Sequence, residues 1–183
     1  MIGTQPVSAA QAPAAVPPAI RPVAPADVPA LRQFFAGLSK QSRYQRFFGP
    51  IGTPNPPLLD LLAGGPSHVD AVVATAGGVI IGHAMAADQI SPDGEHRTDI
   101  GVVVADAWQG HGLGVALMRS MIDRAQRRGV TLVVMDVLHD NYRALAMITH
   151  HWPAARAGQA RDFATLCLDL PALAPVLARE HAA

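Results

Sequence analysis

The stretch TDIGVVVADAWQGHGLGVALMRSMIDRAQRRG, residues 98–129, decides the fold. It reads in three parts. Residues 100–104 are an apolar run, β-branched at most positions, which suits a strand buried on both faces. Gln109-Gly110-His111-Gly112-Leu113-Gly114 is a turn with glycine at alternate positions. Gly114, Leu117, Met118, Met121, Ile122 and Ala125 then recur at the spacing of one helix face. Arg127 and Arg128 fall in the last turn, where they complement the helix dipole, and Gly129 suits the left-handed position that ends a helix.

A strand, a glycine turn and a helix in that order point to a phosphate. The first amides of a helix have no partner within it, and missing side chains let an anion approach them. Three nucleotide motifs compete. A dinucleotide site needs G-x-G-x-x-G, but counting from Gly110 the last position is Val115. Asp136 does stand at about the distance of a ribose-binding acid. A P-loop needs Gly-Lys-Ser/Thr, which is absent. The third pattern, Q-x-x-G-x-G, is met by Gln109, Gly112 and Gly114.

At these residues the chain resembles the GNAT superfamily of N-acetyltransferases. There, a strand followed by R/Q-x-x-G-x-G/A holds the pyrophosphate of acetyl-CoA. The resemblance implies a mixed α/β sheet, the GNAT acyl-CoA N-acyltransferase fold, with about six to seven strands and helices on both faces. It implies acetyl-CoA as co-substrate, no metal, and a pyrophosphate lined by Gln109, Gly110, His111, Gly112, Leu113, Gly114 and Val115. Residues 38–48, LSKQSRYQRFF, also resemble the L-S-x-x-S-x-Y-x-R-F-F segment of bacterial protein lysine acetyltransferases. That narrower likeness favours a protein lysine as acceptor, with a small-molecule amine as the alternative.

Composition limits the other classes. Hydrophobic residues make up 50% and charged residues 15%, and 14 basic side chains balance 14 acidic ones. A neutral chain lacks the footprint of a nucleic-acid or anionic-membrane partner. The single cysteine, Cys167, lies in an apolar run and reads as a strand residue, so no disulfide forms within the chain. The eight histidines show no metal-ligand spacing. No apolar run reaches the roughly 20 residues needed to span a bilayer, and no signal peptide is evident. A cytoplasmic protein, monomer or homodimer, is expected.

Residues 1–19 are mostly Ala, Pro, Gln and Ser and read as a disordered tail. Residues 20–170 form the proposed domain, and 171–183 a tail or short helix. Within the domain, 20–23 suits a strand, and Asp27 suits the cap of a helix reaching Leu38. Helical segments follow at 39–48 and 58–63. Strands at 69–76 and 79–87 flank Gly77-Gly78 as a hairpin, and 89–96 reads as a polar loop. After the central helix come a strand at 131–137, a helix at 141–152 and a strand pair within 155–170.

The resemblance also assigns chemistry. Asp99 matches an acid just before the apolar core of this strand, where lysine-acetyltransferase relatives carry Glu, and is the candidate general base. The N–H of Val102 is the candidate oxyanion donor, and the backbone of Val102, Val103 and Val104 the pantetheine site. Gly101 suggests a bulge that splays this strand from the next. Asn141 matches a cofactor-contacting asparagine and also suits a helix cap. Arg119 lies one turn along the polar face, within reach of a nucleotide. Where many relatives place a tyrosine as general acid, this chain has Ile148, and Tyr142 falls on another face. A non-catalytic acyl-CoA-binding module is therefore the competing class.

Overall fold

A computed structural model describes residues 17–171. Most of the expected N-terminal tail, 1–16, and the segment 172–183 lie outside the described residues. The elements run β1 (Ala19–Pro22), α1 (Val28–Gly37), α2 (Lys40–Phe47), α3 (Pro56–Leu62), β2 (Val69–Ala76), β3 (Val79–Ile90), β4 (His96–Val104), α4 (Leu113–Arg127), β5 (Leu132–Leu138), α5 (Tyr142–His151), β6 (Arg156–Gln159) and β7 (Phe163–Asp169). The seven strands form one sheet in the order β1-β2-β3-β4-β5-β7-β6. Among the described residues, only β4 and β5 pair in parallel. This is the mixed α/β architecture that the sequence predicts.

Strand alternation sorts the core into two layers. Ile100 and Val104 of β4 join α4, through Leu117, Met121 and Ile122, on one face. Val103 of β4 and Met85 of β3 join α1 and α3, through Leu31, Phe35 and Leu59, on the other. The C-terminal end of α4 is tied to the sheet by ion pairs from Arg124 and Arg128 to Asp70 of β2, and from Arg128 to Asp88 of β3.

Three local expectations are corrected. Asp27 occupies the cap position of α1 but does not cap it. A 3-10 turn, Pro25–Asp27, precedes the helix, and the carboxylate turns back to accept the Ala24 N–H at 2.8 Å and pair with Arg21. The expected loop 89–96 is present but shorter, 91–95, because Gln89 and Ile90 extend β3 and His96 begins β4, with Gln89 and Arg97 as register partners whose side chains bond each other. Finally, β4 carries no bulge: its register with β3 is unbroken from Gly82↔Val104 to Ile90↔His96.

His83 of β3 is fully buried, with Nε2 donating to the Leu62 carbonyl at 2.7 Å. Burial first, then the charge of Arg46, lowers its pKa to about 3, so it is neutral in the fold. In the unfolded chain it titrates near pH 6.5. A depressed folded value means that this contribution is complete above about pH 6.5 and is lost as pH falls towards 3. The thermal midpoint is expected to fall across that window, and to fall less steeply in His83→Gln, which keeps a donor for Leu62 but does not titrate. Equal slopes in the two proteins would contradict this.

Candidate active site

The site begins where two strands part. β4 and β5 pair only at Arg97↔Leu132, Thr98↔Val133 and Asp99↔Val134. Beyond Asp99 they diverge, and a cleft of about 1200 Å³ opens between them. That exceeds the roughly 300–1,000 Å³ of ordinary small-ligand pockets, and suits a long co-substrate with a second molecule beside it.

Backbone direction shows what lines the gap. The Ala105 N–H donates to Ile81 on β3, and the Thr131 N–H reaches the His96 carbonyl from the β5 side. In an antiparallel pair, alternate residues direct both backbone groups to the same neighbour. Val103, like Ala105, therefore faces β3, whereas Val102 and Val104 face the gap. Of the three valines, Val103 is not brought to the gap by its backbone, and its side chain is buried in the α1/α3 layer.

The glycine turn closes one end of the cleft. Gly110 and Gly112 have φ of 81° and 79°, a region that disfavours other residues. Gly112 holds the cap position of α4, and no side chain caps that helix. Its first amides are thus left for an anion. Gly110, Gly112, Gly114 and Val115 line the cleft. Leu113 turns its side chain into the core and His111 is exposed, so only their backbones serve this end. Arg119 is exposed and does not line the cleft.

The Gln109 side chain turns inward. Its amide donates to the Val104 carbonyl and to Ser42 Oγ, each at 3.1 Å. Ser42 in turn donates to Asp106 Oδ1 at 2.8 Å. Asp106 also accepts the Ser39 hydroxyl at 2.7 Å and the Ser39 N–H at 2.9 Å. Burial raises the Asp106 pKa, but these donors outweigh it and hold the carboxyl below its ordinary range. The start of α2 is thereby fastened to the glycine turn.

Asp99 is half-buried at the point where the strands part. It accepts from Gln89 Nε2 at 2.8 Å, and Gln89 Oε1 accepts from Arg97 at 2.8 Å. Burial raises its pKa, Arg97 opposes this, and Asp136 adds to it; the net direction is upward. Asp136 itself accepts the Thr165 hydroxyl at 2.7 Å. With a mostly antiparallel sheet around it, Asp136 has no dinucleotide fold to serve. Asn141 caps α5, accepting the Ala144 N–H at 3.2 Å, and lines the cleft. Ile148 is buried and offers no proton, while Tyr142 is exposed on the cleft wall.

Two cationic residues escaped the sequence reading. Arg143 of α5 lines the cleft, with Nη2 3.4 Å from where a Cβ on Gly110 would lie, which puts a cation beside the glycine turn. Arg46 of α2 lies against Gly101. For Arg143 the local signal is a position on an amphipathic helix, whereas Arg46 is the arginine of the L-S-x-x-S-x-Y-x-R-F-F segment, which carries no hint of Gly101. Among the described residues, no group of three or more His, Cys, Asp or Glu is arranged to hold a metal, and no helix is long and apolar enough to cross a membrane.

Asp106→Ala removes the acceptor of three hydrogen bonds. The unfolding free energy in urea is expected to drop by roughly 2 kcal/mol. A loss under about 0.5 kcal/mol, the scale of an ordinary surface change, would mean that this junction does not hold α2 to the turn.

Comparison with known proteins gives a consistent picture. A profile of the acetyltransferase (GNAT) family matches residues 40–151. An acetyltransferase of Pseudomonas aeruginosa is 33% identical over 120 residues, so this chain spans about 60% of the length of that curated relative. The GNAT domain of PAT from S. lividans superposes with a TM-score of 0.74 at 22% identity, covering 82% of this chain and 89% of that one. The putative acetyltransferase yncA of Salmonella typhimurium, solved with its cofactor acetyl-CoA, gives 0.67 at 21% identity, covering 84% and 94%. At these identities the solved structures speak for the fold.

Proposed function

Because the chain belongs to the acetyltransferase (GNAT) family, we propose that it transfers the acetyl group of acetyl-CoA to a primary amine by direct attack in a ternary complex. One observation carries this: the gap after Asp99 bares the Val102 backbone and the Val104 N–H beside a helix with no side-chain cap, while Gln109 holds the Val104 carbonyl. The diphosphate settles on the first amides of α4, with Arg143 adding positive charge. The pantetheine amides pair with Val102 and Val104, much as a β5 strand would have done. The thioester then reaches Asp99.

A primary ammonium has a pKa of roughly 10.4 in water and must lose its proton to attack. Asp99 takes that proton directly or through one water. The nitrogen adds to the thioester carbonyl, and the oxyanion is held by the Val102 N–H. One such donor is worth about 2.7–4 kcal/mol of barrier. The carbon–sulfur bond breaks, the thiolate leaves and takes up through water the second proton lost by the nitrogen, and the neutral amide remains. With a free-thiol pKa of roughly 8.5, the leaving group needs little help, which fits the absence of a tyrosine at Ile148. The acceptor is a protein lysine, which the likeness of the 38–48 segment supports, or a small amine.

A raised Asp99 pKa places the loss of activity on acidification above the ordinary carboxylate range, because the base works only when ionised. Acetyl-CoA turnover with mixed primary amines, read by thiol release, is expected to show that acid limb. Asp99→Asn is expected to lower kcat by about 10²- to 10⁴-fold, leave coenzyme A affinity within twofold and abolish the limb. Unchanged transfer in the variant would remove Asp99 from the mechanism. Coenzyme A binding with no thiol release from the wild-type protein would favour the acyl-CoA-binding module instead.

A further inference from the structure

Arg46 is a cation without a counter-charge in the wall of the cleft, its Cζ 5.2 Å from the centre of the Phe47 ring. A Cβ on Gly101 would lie 2.7 Å from its Cζ and Nη1 and 2.9 Å from its Nη2, so the guanidinium lies flat on β4. Only a residue without a side chain permits that approach. Nε is enclosed and has no hydrogen-bond partner. Among the described residues, no carboxylate forms a salt bridge with it. Burial lowers its pKa to about 10, and its buried neighbour His83 is held neutral. Arg46 is half-buried with an enclosed, unbonded Nε and no counter-charge, so its guanidinium gains from an anion that reaches it.

The diphosphate of the co-substrate is on the wrong side to do so. α4 packs on the Ile100 and Val104 face of β4. By alternation, Gly101 shares the opposite face with Asp99 and with Val103, which packs under α1 and α3. Arg46 therefore looks at the side from which an acceptor meets Asp99. Two residues along a strand span about 6.8 Å. One small molecule can bridge that distance, with its amine at Asp99 and a carboxylate forked onto Arg46. The same part of the cleft is walled by Phe47, Phe48, Leu58, Leu61 and Met85, which suits an apolar side chain.

We propose that Arg46 binds the carboxylate of the acceptor, and that the acceptor is a free amino acid with an apolar side chain. This rests on the acetyl-transfer reading above and narrows it from any primary amine to one carrying an oxyanion a few bonds away. Arg46 and Asp99 then grip the two ends of one molecule. The planar guanidinium offers two parallel donors to a carboxylate, a match that lysine cannot reproduce.

The test measures thiol release from acetyl-CoA with three acceptor sets: L-leucine, L-methionine and L-phenylalanine; their C-terminal amides; and a lysine peptide without acidic residues. For the wild-type protein, kcat/KM is expected to be at least tenfold higher for the acids than for the amides, with the peptide no better than the amides. In Arg46→Gln that acid-to-amide ratio is expected to collapse below about two, and in Arg46→Lys to fall between. If Arg46 merely fastened α2 to the sheet, Arg46→Gln would lower the thermal midpoint and leave the ratio intact, which would overturn the proposal. Amides or peptide matching the acids in the wild-type protein would overturn it as well, while leaving acetyl transfer standing. No thiol release with any acceptor would overturn both.

Discussion

The separation of β4 from β5 is the constraint on which the site depends. Two parallel strands that stayed paired would satisfy each other's amides and leave no room between them. Here pairing stops after Asp99↔Val134. An unsatisfied backbone group in a closed interior costs about 1–3 kcal/mol, so the strand edge beyond Asp99 is primed for whatever supplies amides in return. An extended chain of alternating amides and methylenes, such as pantetheine, meets that need.

The rest of the chain holds this gap open and gives it two faces. α4 packs on the Ile100 and Val104 face and presents its first turn there, with Gly112 at the cap. α2 reaches the opposite face and is clamped to the glycine turn through Asp106, which takes hydrogen bonds from Ser39 and Ser42. Gln109 links Ser42 to the Val104 carbonyl, so one side chain of the nucleotide motif also fixes the helix on the acceptor side. Binding at one face and positioning at the other thus share a short polar junction.

The strand, glycine turn and central helix were legible because their signals are local: β-branched runs, alternate glycines and a 3.6-residue apolar period. The order of elements followed from the same signals. What stayed hidden lies between residues far apart in sequence. Gly101 within a strand reads locally as a bulge, and only the fold reveals Arg46 lying on it across an unbroken register. Asp106 and Ser39 are 67 positions apart, and nothing local to either announces their bond. The loop at 89–96 was legible except at its ends, where Gln89, Ile90 and His96 pair across strands and leave 91–95 as the turn.

Hydrogen exchange of single backbone amides, with and without coenzyme A, probes the gap most directly. Val102, Val104 and the first turn of α4 should exchange readily in the free protein and become protected on binding. Val103, already directed at β3, should be slow in both states. Protection that spares Val102 and Val104, or no change on adding coenzyme A, would contradict the view that the parted strands are the co-substrate site.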